Sequence, residues 1–112
     1  MTQAPPNTFR LFENHTSAQT NNQLLAAPTV ANRRIYVTDL IVSNGATEGT
    51  FFLVEDPAGT PVQITQTLYL GINGGAVIKF TVPVKLSELK ALGFTSASVT
   101  THSVEVHGFY LP

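Results

Sequence analysis

The chain has 112 residues and a formal net charge of −1, and only 12 % of it is Asp, Glu, Lys or Arg, about half the ~25 % of an average soluble domain. With no cysteine, a disulfide framework, a thiolate zinc site and a thiol nucleophile are excluded. The Arg33-Arg34 pair is too little to track phosphates, and no apolar run approaches the roughly 18 residues of a membrane span, so neither nucleic acid nor membrane is an expected partner.

Residues 1–8 read as an extended N-terminal arm, because the adjacent Pro5 and Pro6 lack amide donors and bias their neighbours toward polyproline geometry. Residues 9–112 read as one β-sandwich domain. A short strand is predicted over 9–12. The polar run from His15 to Asn22 has no periodicity that buries a face, so it reads as a surface loop or a segment ordered by a neighbour. A second short strand is expected over 24–26.

From Arg34 onward, β-branched and aromatic runs recur between Gly, Pro and Asn clusters, which is the pattern of an all-β fold. The strand predicted over 34–43 has Ile35, Val37, Asp39 and Ile41 on one parity and Tyr36, Thr38, Leu40 and Val42 on the other, so both faces are expected to be covered. Asn44-Gly45 turns the chain into a strand over 50–55, and Asp56-Pro57-Ala58-Gly59 turns it again. An unbroken strand is expected over 62–70, with Val62, Ile64, Leu68 and Leu70 on one face. Ala76, Ile78, Phe80, Val82 and Val84 then share a parity, and Pro83 predicts an edge or a bulge.

Ser87 as N-cap, leucines at 86, 89 and 92, and Gly93 as a left-handed stop predict one or two helical turns over 87–93. Strands over 97–101 and 104–111 finish the chain, the last with Val104, Val106, Gly108 and Tyr110 opposed to Glu105, His107, Phe109 and Leu111. The sum is about eight strands and one short helix, which suits an antiparallel β-sandwich of jelly-roll type; an immunoglobulin-like sandwich lacks its usual Cys and Trp here.

Chemistry is thinly represented. His102 and His107 are five apart and face opposite sides of one strand; Glu105 and His107 share a face without a third ligand, so no metal or other cofactor is expected. No nucleophile elbow is present, and Gly71, Gly74 and Gly75 lie between strands, which makes them turn residues and no phosphate cradle. An enzyme is not expected. A sandwich this sparing of charge instead reads as an assembly part whose outer surface is covered.

At Asn32-Arg33-Arg34-Ile35-Tyr36-Val37, at Asn73-Gly74-Gly75-Ala76-Val77-Ile78-Lys79-Phe80 and at Val104-Glu105-Val106-His107-Gly108-Phe109-Tyr110, the chain resembles the small jelly-roll proteins that decorate or cement tailed-bacteriophage heads. The resemblance covers residues 30 to 112 and implies a dimer or trimer. Such a protein is made in the host cytoplasm and sits on the outer capsid surface of the virion, where it clamps neighbouring major capsid proteins. Under that expectation Pro5, Pro6, Asn7, Thr8 and Phe9 contact the capsid, while Tyr36, Leu40, Phe109 and Leu111 are candidates for the subunit interface, with burial in the core as the alternative for each. The rival expectation is a carbohydrate-binding jelly-roll module or tail-tip adhesin, for which Tyr36, Tyr69 and Tyr110 are the available stacking rings.

Overall fold

The structure, a computed structural model, describes residues 7–97 and 101–112. Pro5, Pro6 and most of the expected strand over 97–101 lie outside the described residues. Nine strands are present: β1 (Thr8–His15), β2 (Gln19–Leu25), β3 (Arg34–Asn44), β4 (Gly49–Glu55), β5 (Val62–Gln63), β6 (Leu68–Leu70), β7 (Gly75–Lys85), β8 (Leu92–Ser96) and β9 (His102–Leu111). They form two antiparallel sheets. The first has the order β1-β9-β3-β7, and the second β2-β8-β4-β5 with β6 also paired to β4. The chain changes sheet at every step from β1 to β4, and again from β7 to β9. The fold is the all-β sandwich expected.

Alternation sends Val104, Val106 and Gly108 of β9 inward and leaves Glu105, His107 and Phe109 less buried on the outer side. Inner side chains of both sheets, among them Ile35, Leu40, Phe51, Leu53, Leu92, Phe94 and Val106, form one buried apolar cluster. Each such side chain contributes roughly 1.5–3 kcal/mol by leaving water. The rings of Phe51 and Phe94, on neighbouring strands, stack at 5.2 Å.

Strand β3 departs from simple alternation. Val37 pairs with Gly108 and Asp39 with His107, so Thr38 is an extra residue opposite no partner in β9, and its hydroxyl donates to the His107 carbonyl at 3.2 Å. This bulge reverses the parity. Ile35 and Val37 before it and Leu40 and Val42 after it all reach the core, which is why both faces looked apolar in sequence.

Strand β7 is an edge, as Pro83 predicted, and its register against β3 jumps from Lys79 opposite Asp39 to Val84 opposite Val37. Residues 80–83 therefore bulge out of the ladder, and Val82, expected in the inward row with Phe80, is 79 % exposed.

Three expectations are corrected. No helix forms over 87–93: the Leu86 and Leu89 amides donate to the carbonyls of Ile35 and Arg33, the Ser87 amide donates to the Glu55 carboxylate, and Leu92 and Gly93 open β8. Tertiary partners thus take the donors a helix would need. The polar segment from Gln19 is a strand, since Ser96 and Thr95 hydroxyls accept from the Gln19 and Asn21 amides across two register shifts. The 62–70 strand is broken between β5 and β6, where the Thr65 hydroxyl accepts the Leu53 amide in place of a backbone carbonyl. Val62 consequently lies outside.

Candidate functional site: the outer face of the four-stranded sheet

Strand register arranges the outer face of β1-β9-β3-β7 into cross-strand rows. One row runs Thr8, Phe109, Tyr36, Lys85; the next Arg10, His107, Asp39, Lys79; the next Phe12, Glu105, Ile41, Val77; and the last Asn14, Ser103, Ser43, Gly75. Apolar groups dominate two of the four. Phe12 is 57 % exposed and Val77 70 %. In the first row the rings of Tyr36 and Phe109 lie parallel, with centroids 4.9 Å apart and planes 9° apart, and the Tyr36 hydroxyl donates to the Pro112 carbonyl at 3.2 Å.

The face carries Arg10, Asp39, Lys79, Lys85 and Glu105, and part of this charge is neutralised within it. Glu105 Oε2 accepts from Arg10 Nε at 2.9 Å and lies 2.5 Å from His107 Nε2. The hydrogen bond from Arg10, reinforced by His107, holds the Glu105 carboxyl below its usual range. The result is a trio with its charge spread over two strands, flanked by Phe12 and Ile41.

The expected site residues fall in different places. Tyr36 and Phe109 meet on the outer face, with Leu111 exposed at the end of β9. Leu40 does not join them: the Thr38 bulge turns it inward, and it is 0 % exposed in the core. Thr8 and Phe9 belong to β1 rather than to an arm, and the Asn7 carbonyl already accepts from the Tyr110 amide at 2.6 Å. The Phe9 side chain points inward, its ring 5.5 Å from that of Tyr110, where burial raises the Tyr110 phenol above its ordinary value. Sequence reasoning missed Phe12, Ile41 and Val77 as a set. Their only signal was an apolar residue on the off parity of β1 and β7, and it became a row through register alone.

The histidines of the two chain halves meet elsewhere. At one end of the sandwich His15 Nε2 lies 2.8 Å from Glu13 Oε1 and its ring contacts Phe94 and His102; the buried His102 Nε2 lies 2.8 Å from Ser96 Oγ. Among the described residues no group of three or more His, Asp or Glu has an arrangement that could hold a metal ion. Of the three tyrosines, Tyr69 alone stands clear, 82 % exposed beside a shallow depression lined by Glu48, Thr50, Leu70 and Gly71.

No family model and no curated protein sequence matches the chain. Two solved structures of the coat protein of Tobacco streak virus are similar to it. One is 14 % identical, covering 97 % of this chain and 90 % of that chain at a TM-score of 0.37. The other, the coat protein dimer, is 18 % identical, covering 100 % of this chain and 91 % of that chain, also at 0.37. A likeness this slight leaves the chain's role to be argued from its own residues.

Proposed function

We propose that the chain is a virion structural protein: a capsid decoration or cement subunit of jelly-roll type that self-associates and binds the outer surface of a major capsid protein lattice. The observation that carries this reading is the outer face of β1-β9-β3-β7, where Phe12, Ile41 and Val77 form one apolar cross-strand row and the Tyr36–Phe109 stack lies in another, with the row of Arg10, His107, Asp39 and Lys79 between them. Exposed apolar groups rimmed by polar residues mark an interaction site. The pairing of Arg10 and His107 with Glu105 lowers the desolvation penalty on covering the face, and many copies on a lattice turn weak contacts into avidity. The alternation of the chain between its two sheets supports the jelly-roll assignment, and the three resembling segments support the decoration role.

Cosedimentation with expanded tailed-phage heads tests the reading. The wild-type chain pellets with the heads, while Ile41→Asp and Val77→Asp stay in the supernatant with an unchanged circular dichroism spectrum. Wild-type protein that never pellets, or both variants pelleting as it does, overturns it. Removing residues 1–7 weakens pelleting if those residues contact the capsid.

A second reading has one observation in its favour. Tyr69, exposed above a depression bearing the Glu48 carboxylate and the Thr50 hydroxyl, has the make-up of a sugar-stacking platform. A glycan array with Tyr69→Ala as control decides it, since a tail-tip adhesin loses its signal in that variant.

A further inference from the structure

The two sheets present four lateral edges, and among the described residues three of them are interrupted. Strand β7 is bulged over 80–83, holds Pro83, and carries Lys79 and Lys85. Strand β2 has two register shifts and a residue, Asn21, at φ 48. Strands β5 and β6 are two and three residues long. Each is a known way of preventing strand addition. Strand β1 has no bulge, register shift, proline or lysine among its eight residues, and its two charged side chains, Arg10 and Glu13, are paired within the sheet with Glu105 and His15.

We infer that this edge of β1, which no strand among the described residues covers, pairs antiparallel with β1 of a second copy of the chain, about a two-fold axis at Leu11, joining two four-stranded sheets into one. The inference deepens the self-association in the reading above and rests on that part of it alone.

Hydrogen-bond alternation shows what the edge offers. The Tyr110 amide donates to the Asn7 carbonyl, and the register then runs Phe9 opposite Gly108, Leu11 opposite Val106 and Glu13 opposite Val104. Odd-numbered residues therefore spend their backbone groups on β9, and the amides and carbonyls of Arg10, Phe12 and Asn14 point away from it.

A second β1 supplies the matching row. Opposed residues in an antiparallel pair lie on the same face, so the two-fold axis must pass through a residue and not between two. An axis at Leu11 sets Arg10 of each copy opposite Phe12 of the other in both directions, giving guanidinium-over-ring contacts on the outer face. Beneath it, Leu11 meets its own counterpart. An axis at Phe12 places Arg10 opposite Asn14, losing those contacts. The apolar row of Phe12, Ile41 and Val77 then continues into the charged row of the second copy, so the outer face becomes one surface of twice the width.

A chain without cysteine permits a clean test. At the axis the two Leu11 Cα atoms form a non-hydrogen-bonded pair about 4.5 Å apart, within reach of a disulfide. Mild oxidation of Leu11→Cys should give roughly tenfold more covalent dimer than Val77→Cys on the opposite edge. Wild-type protein should sediment as a dimer, and Phe12→Pro as a folded monomer, because that substitution removes only an amide that β9 does not use. Phe12→Ala, which keeps the amide, should retain most of the dimer. A wild-type monomer at high micromolar concentration overturns the inference together with self-association, leaving capsid binding to its own assay. A dimer that survives Phe12→Pro, or that does not cross-link through Leu11→Cys, overturns the edge pairing while self-association stands.

Discussion

The ring of Phe9 occupies the space that a side chain at residue 108 would need: a Cβ built on Gly108 falls 2.6 Å from Phe9 Cζ and 2.0 Å from the Tyr36 carbonyl oxygen. The glycine's backbone is ordinary strand, so what matters is close approach and not torsional freedom. Three neighbouring strands thereby draw together at the end of the sheet that carries the Tyr36–Phe109 stack. Gly108→Ala should cost about 3 kcal/mol, read as a lowered urea midpoint with unchanged slope. The larger loss should accompany release of Phe9, visible as increased proteolysis near residue 9.

Deleting Thr38 removes the bulge residue and restores plain alternation to β3. Ile35, Val37, Leu40 and Val42 then share one parity and all stay inward, because the deletion takes out the one residue that shifts the alternation. The expected cost is about 1 kcal/mol, that of the lost hydrogen bond from the Thr38 hydroxyl to the His107 carbonyl. The far-ultraviolet β signal should be retained with a slightly lowered urea midpoint, and loss of that signal at room temperature would show that the bulge itself is needed by the fold.

Acid should weaken the protein through the trio on the outer face. Glu105 has a carboxyl pKa lowered by Arg10 first and His107 second, so the unfolded chain takes up its proton at a higher pH than the folded one. The stabilisation is fully present above the ordinary value of 4.5 and disappears as pH falls through the lowered folded-state value. Melting temperatures of wild type and Glu105→Gln should therefore differ at neutral pH and converge in acid. Curves that remain parallel down through the carboxylate range would show that the trio contributes nothing.

Leu89 sits at φ 57 in an exposed turn and donates its amide to the Arg33 carbonyl. A left-handed backbone costs an L-residue about 1–2 kcal/mol, and glycine avoids that while its looser unfolded chain costs about 0.5–1 kcal/mol. Leu89→Gly keeps the amide and should raise stability by about 0.5 kcal/mol, measured as a small upward shift of the urea midpoint.

Where a strand obeys strict alternation, its faces were legible in the sequence: the inward set Val104, Val106, Gly108 and the outward set Glu105, His107, Phe109 of β9 are those the pattern predicts. The sequence is silent where a backbone irregularity intervenes. Thr38 looks like any strand threonine, yet it inverts the parity of everything after it and takes Leu40 from a supposed interface into the core. Only the end of strand β2 was legible, in the strand expected over 24–26; its polar first part escaped notice because its hydrogen bonds go partly to the Thr95 and Ser96 hydroxyls, a partnership 74 to 77 residues away in the chain. The helix expected over 87–93 had a cap, a leucine spacing and a glycine stop. Gly93 is instead needed because a Cβ there would meet the Asn22 carbonyl and Pro57, each at 2.7 Å. Local pattern lost to long-range packing in both cases.

Strand β9 fills the slot between β1 and β3, so the first strand and the third have no partner on that side until residues 102–111 exist. During synthesis the N-terminal half must therefore wait with its apolar residues unsheltered until residues 102–111 have been made and can enter the sheet. Folding dominated by such distant pairings runs on the millisecond-to-second scale. A nascent chain rich in threonine and asparagine, and poor in charge, has to stay dispersed through that interval.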